Sequence, residues 1–161
     1  MWYHNSMKEF KQSILIVCQN DKIGQDVSIN LADTLNMLFA NSKEIVNYEV
    51  FDSKAVIEKC GLEYFEQKEL KSLKHISNYE NAVIFVDYDY FVKGISYFQK
   101  TCNFVFVKIK KKQIEQDDTI NLLAFEEREK ELEDKCEFVV NNKSKPEKTV
   151  KEILNQFRGE K

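Results

Sequence analysis

The stretch SILIVCQNDKIGQDVSINLADTL, residues 13–35, is where this sequence comes nearest to phosphate chemistry. An apolar run passes through a short polar loop into a helical pattern, and a helix N-terminus is a ready anion site. The pattern that cradles phosphates is Gly-x-x-x-x-Gly-Lys-Ser/Thr: backbone N–H groups wrap the phosphates, the lysine reaches them and the hydroxyl holds Mg²⁺. Neither that glycine spacing nor a lysine followed by Ser/Thr is present in this loop. Lys22 and Gly24 are the nearest nucleotide-binding candidates, but Lys22 precedes Gly24, so the loop would need a different path. Asp21 and Asp26 flank the same place. One unit charge about 4 Å away opposes a phosphate by about 1–4 kcal/mol at surface-like dielectric. Asp26 also suits a helix N-cap or first turn.

Further acids close two other stretches, Asp52 after EIVNYEVF and Asp87 and Asp89 after NAVIFV. Hard divalent cations take carboxylate oxygens, so Asp52 with Asp87 or Asp89 is a candidate metal site. The alternative is a solvated acidic rim where loops leave a sheet. KIKKK, 108–112, reads as a counter-patch for an anion or as a solvated strand end. Tyr88, Tyr90, Phe91, Tyr97 and Phe98 make either a partner surface, if exposed, or ordinary packing, if buried. His4 and His75 belong to no Cys or Ser constellation. Cys18, Cys60, Cys102 and Cys136 form no Cys-x-x-Cys pair and sit by apolar stretches, so they read as small buried hydrophobes.

The elements that must position these groups alternate. SILIVC (13–18) reads as a strand buried on both faces. Residues 25–40 carry Val27, Leu31, Leu35 and Leu38 at helical spacing, and EIVNYEVF (44–51) reads as the second strand. Asp52 opens a helical stretch that Gly61 interrupts and residues 62–76 resume. NAVIFVDYDY (81–90) reads as a third strand with an acidic end, followed by a helix over 91–100. NFVFVKI (103–109) and CEFVV (136–140) are the last strands, separated by a charged amphipathic helix over 119–134. Pro146 suits the first turn of a final helix. Five strands alternating with helices predict a three-layer α/β/α domain with a mostly parallel five-stranded sheet. Residues 1–12 are expected as an N-terminal extension, with 1–6 the loosest part, and 13–161 as a single domain.

Bulk properties narrow the function classes. The net charge of -3, from 24 basic and 27 acidic residues, disfavours a nucleic-acid binder held by backbone electrostatics. No apolar run approaches the ~20 residues of a membrane span, so no membrane role is expected. The reduced-thiol pattern and the absence of a secretory apolar core point to the cytoplasm.

A family resemblance runs through the chain in order. LLAFEEREKELEDKCEFVVNNKSKPEKTVKEILNQF (122–157) resembles the end of a shikimate kinase: a helix with an arginine, an apolar strand, a short turn and a Ser-Pro-Glu-type helix start. SILIVC…LADTL resembles the family's first strand and P-loop helix. VFDSKAVIEKCG resembles its strand ending in Asp-x-Asp, and GLEYFEQKEL its Gly-Glu-x-x-Phe-Arg-x-x-Glu. The resemblance implies a P-loop kinase fold and, position by position, a depleted site. Aligned through Leu31 and Ala32, the P-loop positions fall on Cys18, Ile23, Gly24 and Gln25. Asp52 matches the first Asp of Asp-x-Asp, which works near magnesium, while Lys54 stands at the second, which binds a substrate hydroxyl. Glu66 replaces the substrate-carboxylate arginine. Asp87, Tyr88 and Asp89 replace a triple glycine. Arg128 matches a late arginine that contacts the substrate carboxylate. The basic Arg-Pro-Leu-Leu flap has no counterpart in KIKKKQIEQDDTINLL, 108–123.

The expected function is therefore that of a shikimate-kinase-like pseudoenzyme acting as a binding or regulatory module, with no cofactor, working through a protein partner or as a homo-oligomer. The alternative is a divergent shikimate kinase, or another small-molecule kinase, that uses Mg and ATP.

Overall fold

The computed structural model describes residues 11–50, 53–114 and 119–159. Five parallel strands, β1 (Ser13–Cys18), β2 (Leu38–Asn41), β3 (Ala82–Val86), β4 (Cys102–Lys108) and β5 (Phe138–Asn141), form one sheet in the order β2-β3-β1-β4-β5. The helices are α1 (Asp21–Leu35), α2 (Ser42–Val50), α3 (Ser53–Cys60), α4 (Leu62–Ser77), α5 (Tyr88–Thr101), α6 (Thr119–Lys135) and α7 (Pro146–Phe157).

Side-chain alternation explains why the strands are apolar throughout. Leu15, Val17, Ile84, Val86, Phe104 and Phe106 face one core, filled by Val46 of α2, Leu73 and Ile76 of α4, and Phe91 and Phe98 of α5. Ile14, Ile16, Cys18, Val83, Phe85, Val105 and Val107 face the other, filled by Val27 and Leu31 of α1 and Val150, Ile153 and Phe157 of α7. Helix α6 contributes to both, Leu132 to the first and Phe125 to the second. This is the three-layer α/β/α arrangement with a five-stranded parallel sheet that the sequence predicts.

The larger departures from the sequence reading lie at α1, at the second strand and at the end of the third. Helix α1 starts at Asp21, not 25, and ends at Leu35, because Asn36 adopts a left-handed conformation (φ 57°, ψ 46°) and its N–H closes on the helix. The second strand is Leu38–Asn41, which the helical spacing of Leu38 after Leu35 disguised. EIVNYEV is helix α2 instead: Val46 and Val50 lie one turn apart and bury together in the core. The third strand stops at Val86, and Tyr88 already belongs to α5.

The aromatic run after β3 is packing: Tyr90, Phe91 and Phe98 are buried, with Tyr88 and Tyr97 half-buried. Cys18, Cys102 and Cys136 are buried thiols as expected, but Cys60, at the exposed end of α3, faces solvent. Residues 11 and 12, placed in the extension by the sequence, are tied down. Lys11 N–H donates to Asn103 Oδ1 at 2.9 Å and Gln12 Nε2 to Tyr79 O at 3.1 Å.

Candidate functional site

In open parallel sheets, ligands bind beyond the carboxyl ends of the strands. Here β1 is followed by a crossover to one edge and its neighbour β4 by a crossover to the other, so the crevice opens around the end of β1.

Only Gln19 and Asn20 separate β1 from α1. Asn20 is the helix N-cap: its Oδ1 accepts from Ile23 N–H at 3.0 Å and its carbonyl accepts from Gly24 N–H at 2.9 Å. Its Nδ2 donates to Gln113 O at 2.6 Å, tying this connection to the turn after β4. Gly24 is buried against β3. A Cβ there would lie 2.2 Å from Phe85 Cε1, so the helix can approach the sheet only with glycine at this position. Lys22 points outward, 82% exposed, and pairs with Asp26 at 3.2 Å.

The ends of β2 and β3 add a shared cation. Lys43 Nζ lies 3.6 Å from Asp21 Oδ2 and 3.8 Å from Asp87 Oδ2. Asp87 caps α5, its Oδ1 accepting from Tyr90 N–H at 2.9 Å. Burial lifts its carboxyl above the ordinary aspartate range, against the opposing pull of that N–H and of Lys43. Asp89 is exposed in the first turn of α5.

Helix α6 lies across these ends. Gln19 Nε2 donates to Phe125 O at 3.4 Å, and Lys108 pairs with Glu133 at 3.5 Å. The Arg128 guanidinium sits 4.2 Å from the Tyr88 ring centroid, a cation–π contact, while the Tyr88 hydroxyl donates to Glu131. Burial and the Glu131 carboxylate push the Tyr88 phenol up to about 12, and the Lys135 ammonium, 2.6 Å away, and the Tyr88 hydroxyl hold Glu131 below its ordinary range.

No family model and no curated protein matches the sequence. Solved structures do match. A shikimate kinase from Aquifex aeolicus vf5 superposes with a TM-score of 0.71 at 22% identity, covering 91% of this chain and 96% of that one. One from Acinetobacter baumannii, in complex with shikimate, gives 0.68 at 14% identity, covering 92% and 93%. One from Bacteroides thetaiotaomicron gives 0.67 at 15%, covering 90% and 97%.

The chain has a shikimate-kinase-like P-loop kinase fold.

The sequence reading set the Asp-x-Asp resemblance, Asp52 and Lys54, at the end of a strand; the residues before it, Ser42–Val50, form helix α2, and β2 ends at Asn41. Lys54 is exposed on α3, and Asp52 lies outside the described residues. Glu66 is exposed on α4. The candidate metal site retains Asp87 as a helix cap and Asp89 in solvent. Among the described residues, no three His, Cys, Asp or Glu side chains gather as a metal-binding group. Of the acids expected along one edge, Asp21 and Asp87 are brought together by Lys43, and Asp26 is turned aside onto Lys22.

Sequence reasoning missed Gln19, Asn20 and Lys43. Asn20 carried a signal, since Asn is a strong N-cap and Ile23 follows it at the capping spacing. Lys43 carried none while its segment was read as the approach to a strand. Among the described residues, no helix is long and apolar enough to cross a membrane.

Proposed function

We propose that this chain is a catalytically inactive relative of the small-molecule kinases, a binding or regulatory module whose output is contact with a protein partner or a second copy. The observation that carries this reading is the start of α1 at Asp21 under the Asn20 cap. A phosphate cradle needs backbone N–H groups turned toward the ligand. The Ile23 and Gly24 N–H groups, at the aligned loop positions, are already spent on Asn20.

Three further observations support it. Phe85 fills the space into which a side chain at position 24 would grow, and 24 is the position aligned with the lysine. Lys22, the substitute, leans on Asp26. Asp21 and Asp87 add negative charge where phosphates would arrive. Phosphoryl transfer is almost entirely positioning and charge stabilisation, so losses in this network compound.

The test is calorimetric titration with Mg-ATP and then shikimate, beside a phosphoryl-transfer assay. No heat at millimolar nucleotide and no turnover are expected, and light scattering with pull-down then identifies the partner. Micromolar binding with turnover that Asp52→Ala abolishes would establish the divergent kinase instead.

A further inference from the structure

A second concavity lies between α2 and α4, at the other end of the domain from the crevice. Helix α2 runs back from the end of β2 and closes at Val50, and α4 leads toward the start of β3 at Ala82. Their last turns therefore meet beside the amino ends of the strands. A groove of about 430 Å³ opens there, lined by Glu49 from α2 and by Lys68, Lys71, Ser72, Lys74 and His75 from α4. That volume falls in the range of small-molecule sites.

The single acid of the lining is already engaged. Glu49 accepts from the Ser72 hydroxyl, and its other carboxylate oxygen lies 3.3 Å from His75 Nδ1. The lysines are not matched in the same way. Lys68 reaches back over the Tyr64 ring, 5.5 Å from its centroid. Among the described residues, no carboxylate pairs with Lys68, Lys71 or Lys74.

Helical phase keeps other acids off this face. At about 100° per residue, Lys68, Lys71 and His75 fall within about 60° of one another on α4, with Lys74 at the margin. Glu63, Glu66 and Glu69 of the same helix lie about 110–170° from the middle of that arc. Glu69 is moreover buried and paired with Lys93. On α2, Glu44 is turned about 140° from Glu49, and Lys43 pairs with Asp21 and Asp87. Helix α3 and Glu80 contribute nothing to the lining. Three lysines thus face one glutamate that two neighbours already hold.

We infer that this groove binds a compact multivalent anion, a phosphate or a polycarboxylate, through the Lys68, Lys71 and Lys74 ammonium groups, with the Ser72–Glu49–His75 cluster as its fixed wall. The inference does not rest on the non-kinase reading, because the two sites are separate.

The test titrates pyrophosphate and citrate into the whole chain at fixed ionic strength, followed by amide NMR and calorimetry. Saturable shifts confined to residues 49–50 and 68–78 are expected, and the tighter of the two anions identifies phosphate or carboxylate as the ligand chemistry. Lys71→Met and Lys68→Met should each weaken binding by about tenfold, the loss of one charge-assisted hydrogen bond. Glu49→Gln removes the opposing charge and should tighten it by about threefold. Lys151→Met, on α7 across the sheet, makes the same change in net charge as the groove variants and should leave binding unaltered. Thermal melts check that each variant folds, and either lysine variant serves if the other does not. Shifts spread over the lysines at large, an equal loss in Lys151→Met, or no saturation at millimolar anion would overturn the inference. Mg-ATP titrated into the same variants separates the two ideas. Heat that Lys71→Met abolishes belongs to this groove and leaves the non-kinase reading standing, whereas heat that survives it counts against that reading alone.

Discussion

The Phe85 ring of β3 occupies the space that a side chain on residue 24 of α1 would need, with its Cε1 2.2 Å from the ideal Cβ position. Both groups are fixed, one by a strand near the centre of the sheet and the other by a capped helix. Gly24→Ala should therefore destabilise the fold by about 1–3 kcal/mol, the usual cost of overpacking. Urea denaturation of Gly24→Ala, Phe85→Leu and the double variant checks this. The double variant should be more stable than the sum of the single effects predicts, since each change relieves the other.

Asn20 joins a helix cap to a cross-crevice tie. Asn20→Ala should cost about 1 kcal/mol for the cap and somewhat more for the lost bond to Gln113. Asn20→Asp keeps the cap and removes the Nδ2 donor, so the difference between the variants in chemical denaturation isolates the tie.

Asp87 gives a pH signature with a defined sign. Its folded-state carboxyl titrates above the ordinary value, so its ionisation opposes folding, and that cost is complete only above the folded-state pKa. Asp87→Asn retains a capping oxygen for Tyr90 N–H and removes the charge. The variant should be more stable than the parent at neutral pH. The advantage should shrink as pH falls through the parent's raised pKa and vanish below the ordinary aspartate value. Thermal melts of both proteins across that range provide the check.

Glu69 is a buried carboxylate between α4 and α5, accepting from the Tyr90 hydroxyl at 2.9 Å and from Lys93 Nζ at 3.1 Å. Tyr90→Phe should cost about 1–2 kcal/mol, because it leaves a buried acceptor short of a donor. Glu69→Leu removes the charge and should cost less than Lys93→Met, which strands it. Equilibrium denaturation ranks the three.

Thiol chemistry tests the burial pattern. Native protein should react at Cys60 alone, because Cys18, Cys102 and Cys136 are buried and burial pushes the Cys18 and Cys136 thiols up to about 12. A colorimetric thiol titration should release one equivalent at once and the remaining three only on unfolding.

How legible all this was in the sequence varied by element. Strands β1, β3 and β4 announced themselves because burial on both faces demands unbroken apolar runs. Residues 44–50 misled because Ile45, Val46 and Val50 satisfy a strand's composition while Val46 and Val50 also satisfy a helical turn. Tertiary packing chose the helix. Asn36 was a readable stop, since Asn tolerates the left-handed conformation. At the site, Asp21 and Asp87 were legible as edge acids. The bridge through Lys43 was not, because it depends on where β2 ends, and a four-residue edge strand leaves little periodicity to read.

Among the described residues, the first strand is the middle strand of the sheet. Its neighbours begin at Ala82 and Cys102, so during synthesis β1 waits for half of the 161 residues before its first side is paired and longer still for its second. Until then SILIVC is an open, uncharged template of the kind that other strands join. A ribosome stalled before β4 thus exposes a sticky edge, and rescue of such fragments falls to chaperones and proteases.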